Sequence, residues 1–441
     1  MNGWDDRTEA LAARMDGKAK RKPKKGNGVA EIWTAGLRQN RSGYIGDEYN
    51  VQHALRKAPE FHGLLRFNAF ALDAEVTRPL PWRDCPAGSK WLETDDTALM
   101  VWLQERDINV RGRATVADSV ALVAADTVFH PVREYLEALV WDGTPRLRIW
   151  PYDYLGASGD PVYVAAVGLR FMVSAVARIF QPGCQADHVL VLEGRQGSGK
   201  TSTARALAVQ PAWFAGSLPD IHTKDAPIQL VGHWIVEVAE LKAVRNSQLE
   251  AVKSFITETT DTFRPPFGRR SAKFPRQCVF IATTNETDYL RDRTGNRRYW
   301  PLKCGRIDID AVIRDRDQLW AEAVHEYRQG TAWHLTAEEG ALAAAEQRDR
   351  VYVSEIEADV AEYLAKQQAA GRVEVSVRDV LVYGLNLNPD AAGYAETARK
   401  LGSTVAEALE HCGWSKAARL RGEGVRRTLY RFTAGQGGQG K

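Results

Sequence analysis

The sequence lacks the features that mark secreted, disulfide-bonded and membrane-spanning proteins. Its five cysteines lie far apart, without a Cys-x-x-Cys pair or a Cys/His cluster at metal-ligand spacing. This spacing argues against a disulfide framework and against a zinc site. The N-terminus has no apolar stretch typical of a signal peptide, and no run approaches the ~20 apolar residues of a membrane helix. We therefore expect a soluble protein of the reducing cytoplasm.

The chain also lacks a strong excess of charge of either sign. Its 59 basic and 56 acidic residues give a net charge of +3, which alone does not indicate nucleic-acid binding. A length of 441 residues is enough for two to three domains. We predict a disordered basic tail at 1–28, an α+β region at 29–153, a core at 154–350, a winged-helix-like domain at 351–433 and a flexible tail at 434–441. The basic tail is either a solvated segment or an arm that touches nucleic acid.

Apolar periodicity predicts several helices on both sides of an alternating central segment. The predicted helices cover residues 95–105, 115–125, 161–180, 336–348 and 354–368, and Ser376 and Thr404 are expected to cap two further helices. The stretch 131–147 is predicted to be an amphipathic helix followed by a Trp-Asp-Gly turn. Strands alternate with helices across residues 188–302, which predicts a largely parallel sheet flanked by helices. The predicted fold class is therefore α/β for the core.

A glycine-rich segment in this core matches a phosphate-binding pattern. Residues 188–193, HVLVLE, predict a buried strand that leads into GRQGSGKT, a match to G-x-x-x-x-G-K-[ST]. Glycines let backbone N–H groups point inward around a phosphate, Lys200 adds positive charge, and the Thr201 hydroxyl is a ligand for Mg²⁺. The predicted ATP-binding residues are Gly194, Arg195, Gln196, Gly197, Ser198, Gly199, Lys200, Thr201 and Ser202. The alternative is a glycine-rich turn with an incidental Lys-Thr pair.

Two acidic residues follow the next apolar strand, in WIVEVAEL. We place that strand, residues 233–238, beside the strand that precedes the glycine-rich segment. Carboxylates at the carboxyl end of such strands lie where ligands bind. Glu240 is our first choice for polarising the attacking water, and Glu237 is the second, bonding to the metal through water. The alternative is that both are charges on an edge strand.

An amide and two arginines complete the candidate catalytic set. Asn285 follows a buried strand at 278–282, where it either holds the lytic water or γ-phosphate, or forms an Asx turn. Arg297 and Arg298 lie at a turn that enters another strand. A guanidinium suits a transition state whose charge spreads over phosphoryl oxygens, so we predict that one acts as an arginine finger across a subunit boundary. The other reading is an ordinary salt bridge.

Five motifs of this region resemble those of one known family in order and spacing, over about residues 130–302. They are HPVREYLEALVWDGTPRL, PGCQADHVLVLEGRQGSGKT, GHWIVEVAEL, DTFRPPFGRR and FIATTNETDYLRDRTGNRRYWPL. The chain resembles the virulence-associated protein E (VapE) family, which are ATPases of phages, plasmids and genomic islands related to superfamily 3 helicases and poxvirus-type primase-helicases.

The resemblance implies an AAA+-like P-loop NTPase core, a ring that is usually hexameric and a role in replicating a mobile element. It implies the following roles: Walker A for residues 194–201, Walker B for Glu240 with Glu237, sensor 1 for Asn285, and the finger for Arg297 or Arg298. Larger relatives carry a primase-polymerase domain upstream. The region here is short for one and lacks an obvious paired-aspartate metal motif, so we expect a separate primase partner.

Two basic segments are candidates for DNA contact. Between the acid and the sensor strands, aromatics among cations suit the stacking and charge of a single strand in a ring pore; the candidates are Arg264, Phe267, Arg269, Arg270 and Lys273, with Arg276 beyond. The alternative is that Arg264 and the neighbouring prolines brace a subunit interface. Near the C-terminus a predicted hairpin at 416–432 carries Arg426 and Arg427, which suit duplex phosphates. A solvated surface is the alternative.

Together these features predict a Mg²⁺- and ATP-dependent oligomeric DNA helicase or replication initiator. Two other functions remain open at this stage. One is an ATP-driven loader or switch that remodels DNA complexes without unwinding. The other is a degenerate ATPase that acts as an interaction protein.

Overall fold

The computed structural model describes residues 32–221, 223–239, 246–265, 270–290, 295–422 and 425–432. The chain divides into two compact units, residues 1–131 and 132–441. The sequence had suggested a boundary further along, near residue 153. The two predicted tails, at 1–28 and 434–441, lie outside the described residues. The mixed α/β class is confirmed by the elements below.

The first unit combines three helices with a small mixed sheet. Its helices are α1 (Glu48–Lys57), α2 (Glu93–Gln104) and α3 (Arg113–Ala124), and its strands are β1 (Gln39–Asn40), β2 (Gly43–Tyr44), β3 (Leu65–Asn68), β4 (Asp73–Val76) and β5 (Val128–Phe129). The strand order β4-β3-β5 is antiparallel between β3 and β4 and parallel between β3 and β5. Apolar residues at helical spacing, such as Val116 and Val120 of α3, fill its core. The helices predicted at 95–105 and 115–125 are thereby confirmed.

The rest of the chain contains ten helices and ten strands among the described residues. The helices are α4 (Pro131–Ala138), α5 (Trp150–Leu155), α6 (Pro161–Phe180), α7 (Lys200–Leu207), α8 (Asn246–Thr257), α9 (Ile309–Arg328), α10 (Ala337–Arg348), α11 (Glu355–Ala369), α12 (Val377–Asp379) and α13 (Tyr394–His411). The strands are β6 (Val189–Glu193), β7 (Phe214–Ala215), β8 (Ile235–Ala239), β9 (Thr260–Phe263), β10 (Ala272–Pro275), β11 (Val279–Thr284), β12 (Tyr299–Lys303), β13 (Glu374–Ser376), β14 (Trp414–Gly422) and β15 (Val425–Phe432).

A five-stranded parallel sheet organises this unit, in the order β12-β6-β11-β8-β7. Its central strands are continuous apolar runs because helices cover both faces of such a sheet. The parallel arrangement confirms the predicted class. One detail was wrong: we expected β8 beside β6, but β11 pairs with both and lies between them. Since β8 also pairs with β7, it is an inner strand, which removes the edge-strand interpretation for Glu237.

Helix α6 is the apolar centre of this unit. Asp160 caps its first turn by accepting the N–H groups of Val162 and Tyr163. We expected no stretch of membrane-spanning length, yet α6 has the length and composition of one, and within the described chain it alone does. Of its most apolar window, 89% is buried inside the protein, which is the behaviour of a core helix.

The helix predicted to begin at residue 131 and to precede a Trp-Asp-Gly turn is confirmed. It ends at Ala138, and the Trp-Asp-Gly turn that follows is held in place by α9. The Glu322 carboxylate accepts the backbone N–H groups of Arg146 and Leu147 at 2.5 and 3.0 Å. Burial raises the pKa of Glu322, and these two hydrogen bonds act in the opposite direction. The polar turn therefore supports packing of α9 rather than continuing a helix.

The C-terminal segment packs α11, α12 and α13 against the three-stranded sheet β13-β15-β14. Ser376 caps α12 through a capping box with Asp379, as predicted. The cap predicted at Thr404 is wrong, because this residue lies inside α13, which begins ten residues earlier at Tyr394. The predicted hairpin corresponds to β14 and β15. Its identification as a winged helix stays a prediction.

Candidate functional site

The glycine-rich segment borders a cavity at the carboxyl edge of the parallel sheet. The cavity measures about 790 Å³. It is lined by Gln196, Gly197, Ser198, Gly199, Lys200, Thr201, Ser202, Gly216, Glu237, Thr283, Thr284, Asn285 and Glu286. The loop after β6, the strand β8 and the end of β11 thus meet here, because the carboxyl ends of parallel strands lie at one edge. Gly194 and Arg195 belong to the same loop and contact Lys200.

The loop takes its shape from left-handed glycines. Gly197 and Gly199 have φ values of +75° and +100°, a region that side chains other than glycine's rarely adopt. A Cβ atom at Gly199 would also lie 3.3 Å from the Ile309 side chain. Gly199 is the N-cap of α7, so the free N–H groups and the positive end of the helix dipole border the cavity.

The Lys200 ammonium is held at the centre of this loop. Its Nζ donates to the carbonyl oxygens of Gly194 and Arg195, at 2.7 and 2.8 Å, and to Asn285 Oδ1 at 2.9 Å. Burial lowers the pKa of Lys200 from its usual value, while the nearby Glu237 charge acts to raise it. The Gly194 N–H also donates to the Thr284 carbonyl at 3.1 Å. The loop and the tip of β11 are therefore joined by main-chain and side-chain hydrogen bonds.

Two hydroxyl groups converge on the carboxylate of Glu237. Thr201 Oγ1 and Thr283 Oγ1 each donate to Glu237 Oε1 at 2.7 Å. Glu237 lies on the inner strand β8, where only 2% of its surface is exposed. The other predicted acid, Glu240, lies outside the described residues. The structure thus brings Glu237 to Thr201.

The oxygen atoms of Thr201 and Glu237 have the chemistry of a magnesium site. Mg²⁺ usually takes one or two protein oxygen ligands, directly or through water, and completes its shell with phosphate and water. The Thr201 hydroxyl and the Glu237 carboxylate, 2.7 Å apart, fit that donor set. Among the described residues, no group of three or more His, Cys, Asp or Glu side chains forms a self-sufficient metal cluster. The site fits a metal held together with a phosphate.

The two candidate arginines lie at the opposite edge of the sheet. They directly precede β12, whose first residue, Tyr299, pairs with Val189 at the start of β6. The loop begins at the other end of β6, about 13 Å away for a five-residue strand. Arg297 is exposed and has no partner in the described part of the chain. Arg298 is half-buried, and its Nε donates to Thr257 Oγ1 at 3.0 Å and lies 4.0 Å from Asp187 Oδ2.

A second cavity of about 730 Å³ opens beside these arginines. Arg297, Arg298 and Arg348 line it, and no carboxylate is among its lining residues in the described chain. Arg348, at the end of α10, was missed by sequence analysis because nothing near it in sequence marks it. The cavity therefore offers a positively charged surface at the edge remote from Lys200.

The predicted single-strand contacts are only partly described. The strands β9 and β10 form a hairpin in which Phe263 and Phe274 stack 4.4 Å apart. The candidates Arg264, Arg270 and Lys273 are exposed on it, whereas Phe267 and Arg269 lie outside the described residues. Arg276 is not available for DNA. Only 2% of it is exposed, and it pairs with Asp261, with Nε and Oδ2 2.9 Å apart.

The predicted duplex contacts fall on β15. Arg426 and Arg427 belong to this strand, and their side chains are outside the described part. Two neighbouring cations are already paired: Arg431 donates to Glu374, and Lys416 lies 2.8 Å from Glu410. The described side chains of this hairpin therefore carry less unpaired positive charge than the sequence suggests.

Comparison with known proteins gives one family. Residues 136–352 match the model of the virulence-associated protein E-like domain. No curated protein matches the chain. Two solved structures of the NrS-1 C-terminal region, in the apo A form, are 8% and 11% identical, with TM-scores of 0.40 and 0.42. Each alignment covers 84% of this chain and 96% of that one, and TM-scores this low do not define a shared fold. The matched segment contains the glycine-rich loop and the whole parallel sheet, so residues 136–352 are identified as a virulence-associated protein E-like domain.

Proposed function

We propose that this chain is a Mg²⁺-dependent ATPase of an AAA+-like, P-loop type that works on DNA in replication of a phage or mobile element. The observation that carries the proposal is the convergence of Lys200, Thr201, Glu237 and Asn285 on one cavity at the carboxyl edge of a parallel sheet. The family membership of residues 136–352 supports the link to mobile elements.

Binding of the triphosphate would use the loop and the start of α7. The N–H groups near Gly197 and Gly199 and the positive helix terminus favour phosphate oxygens. The ammonium of Lys200 would contact the β- and γ-phosphates, exchanging at least one of its present acceptors for a charged one. A Mg²⁺ ion bound next to Thr201 would neutralise part of the phosphate charge.

Hydrolysis needs a polarised water molecule and stabilisation of the transferred phosphoryl group. The two threonine hydroxyls already bonded to Glu237 orient its carboxylate toward Thr201, which suits it to order water on a metal. Under this proposal Glu240 is the acid that polarises the attacking water. Asn285, whose Oδ1 lies 2.9 Å from Lys200 Nζ, would orient that water or the γ-phosphate.

A complete catalytic site under this proposal requires a second copy of the chain. Arg297 and Arg298 lie at the edge opposite the loop, about 13 Å away along a five-residue strand, so neither reaches the loop of its own subunit. Head-to-tail association would bring one subunit's arginines to the next subunit's loop and would generate a ring when the rotation closes. We propose a hexamer, with single-stranded DNA in its pore, duplex DNA at a winged-helix-like C-terminal domain and a separate primase as partner.

The test of the ATPase is phosphate release with and without single-stranded DNA. Lys200→Ala should lower turnover at least ~10²-fold, because a preorganised charge on the transferred group is lost. Glu237→Gln keeps the shape but removes the charge, so it should lower turnover while nucleotide still binds. Lys303→Ala is the matched control: this exposed lysine lies on the same sheet without lining the cavity. Full activity of Lys200→Ala would refute the site.

A forked DNA duplex separates the proposed helicase from the loader or switch. Release of the displaced strand with ATP, and not with Lys200→Ala protein, supports unwinding. DNA-stimulated ATP turnover without strand release would replace the helicase by a loader. No ATP turnover with DNA present would favour a non-catalytic interaction protein.

A further inference from the structure

A buried acid–base cluster lies one residue before the glycine-rich loop. Glu193 is the last residue of β6 and is only 6% exposed. Its carboxylate accepts a hydrogen bond from the Tyr289 hydroxyl at 2.7 Å. It also accepts two from the Arg350 guanidinium, one from Nε and one, at 3.0 Å, from Nη2. None of these three residues lines the 790 Å³ cavity, so the cluster cannot act by touching a ligand there.

The cluster joins three parts of the chain that are distant in sequence. Tyr289 follows β11, and Arg350 follows α10. Their segments also pair through the main chain: the Leu290 N–H donates to the Arg350 carbonyl at 3.0 Å, and Tyr352 N–H to Leu290 O at 2.9 Å. Glu346 in the last turn of α10 accepts a further Arg350 N–H at 2.6 Å. These contacts hold the Arg350 guanidinium in position independently of its bonds to Glu193.

Main-chain bonds also hold the carboxyl end of β6. The Glu193 carbonyl accepts the Cys304 N–H at 2.8 Å, and the next residue, Gly194, donates to Thr284 at 3.1 Å. Gly194 in turn offers its carbonyl to Lys200. A shift of the Glu193 side chain would therefore move the carbonyl that holds the Lys200 ammonium. The forked, two-bond contact with Arg350 restrains both position and orientation of the carboxylate.

Such a pair is better suited to fixing geometry than to adding stability. Burial acts to lower the pKa of Arg350, but the hydrogen bonds and charge of Glu193 outweigh it and raise the pKa. Desolvation offsets much of the attraction in buried ion pairs, and apolar replacements are often tolerated. A role in alignment therefore accounts for this buried pair better than a gain in stability does.

We propose that Arg350, together with Tyr289, is a positioning residue that aligns the glycine-rich loop for nucleotide through the Glu193 carboxylate. This inference rests on the proposed ATPase function. A displacement of ~1 Å in such a site can cost about 10²-fold. The prediction is that breaking this cluster weakens nucleotide binding and turnover far more than an equal loss of stability elsewhere.

The chain offers a matched control pair. Arg170 of α6 forms the same kind of two-bond contact with Glu339 near the start of α10, at 3.1 and 3.3 Å, and both residues are largely buried. Its partner Glu339 lies on α10, the helix that Arg350 follows, and neither Arg170 nor Glu339 lines the cavity. Arg350→Met and Arg170→Met remove the same charge from the same type of pair, while keeping most of the side-chain volume.

The experiment compares the full-length variants by titration with a fluorescent ADP analogue, by ATP turnover and by thermal midpoint. Arg350→Met should weaken ADP binding at least ~10-fold, and Arg170→Met should change it less than ~2-fold, at similar midpoints. Arg350→Lys, which keeps the charge but loses the fork, should recover only part of the affinity. Equal affinities of Arg350→Met and wild type, or equal losses in both Met variants, would overturn the proposal.

A second pair of variants, with milder changes, tests the proposal if Arg350→Met folds poorly. Tyr289→Phe removes one hydroxyl from Glu193, and Tyr135→Phe removes one from Asp317, at the same 2.7 Å distance. Only Tyr289→Phe should weaken ADP binding, and unchanged affinity there would overturn the role of Tyr289. If wild-type protein fails to bind ADP, the proposed ATPase itself fails. If wild type binds and the cluster variants bind equally, only this inference fails.

Discussion

Replacing Arg297 by alanine is the sharpest test of the geometry described above. The side chain is exposed and has no partner in the described chain, so its loss should leave the thermal midpoint nearly unchanged. As an arginine finger it should nevertheless account for ~10³–10⁵ in turnover. Arg298→Ala should differ, because this residue loses a charged hydrogen bond to Thr257, worth about 1.5–3 kcal/mol. Its variant should therefore unfold earlier as well.

Mixing of variants decides whether the finger acts between subunits. The strand β6 separates the two edges by about 13 Å, so the loop of one subunit must meet the arginine of another. Arg297→Ala and Lys200→Ala proteins should each be inactive alone. In a random one-to-one ring, about a quarter of the interfaces combine an intact Lys200 with an intact Arg297.

The assay is phosphate release from the mixture, with ring formation checked by mass measurement. Recovery to about a quarter of wild-type turnover is expected if interfaces act independently. Absence of any recovery, when both variants assemble and exchange subunits, would refute the in-trans geometry. Unchanged turnover of Arg297→Ala alone would refute the finger itself and leave Arg298 as the candidate.

Two further predictions concern stability. Burial keeps the pKa of His188 well below 6.5, so the folded protein holds this residue neutral while the unfolded chain takes up a proton below pH ~6.5. The free energy of unfolding should therefore fall on acidification, by up to ~1.4 kcal/mol per pH unit from this residue. In urea titrations between about pH 7.5 and pH 5.5, His188→Phe should reduce that loss. An equal loss in the variant would contradict this. Glu322→Ala leaves two N–H groups of the turn before α5 without an acceptor, and it should lower the free energy of unfolding by about 2–4 kcal/mol in the same assay. Glu326→Ala, at a half-exposed position on α9, is the control. Equal losses in the two variants would show that the two N–H groups find other acceptors.

The loop and its flanking elements could be predicted because their chemistry is local. A six-residue apolar run, three glycines and a Lys-Thr pair define strand, turn and helix start without reference to the rest of the chain. The helix α6 was predicted with correct ends for the same reason, since its apolar face and its terminal Pro-Gly are contiguous in sequence. Asn285 was found because it follows an apolar strand directly.

The arrangement of those elements could not be predicted in the same way. Which strand pairs with β6 depends on packing between segments far apart, and β11 lies where we expected β8. The Glu193–Arg350 contact joins residues 157 positions apart, and no local pattern marks either partner. Thr404 shows a related error: a favourable capping residue is overridden when tertiary packing extends the helix past it. Arg276 resembled a DNA contact by its basic surroundings in sequence, but its buried pairing with Asp261 depends on tertiary structure, which the local sequence does not reveal.

The surroundings of the Lys200 ammonium have a consequence for what the loop can select. Within the described residues, its three hydrogen-bond acceptors are neutral groups, two carbonyls and one amide. A sugar hydroxyl or a base carbonyl would only replace one neutral oxygen by another and gain little. A phosphate oxygen brings a full negative charge, and charged hydrogen bonds are roughly twice as strong as neutral ones. Under the proposed function, the loop should therefore select ligands by anionic charge before shape, and the chain itself already holds the lysine in position.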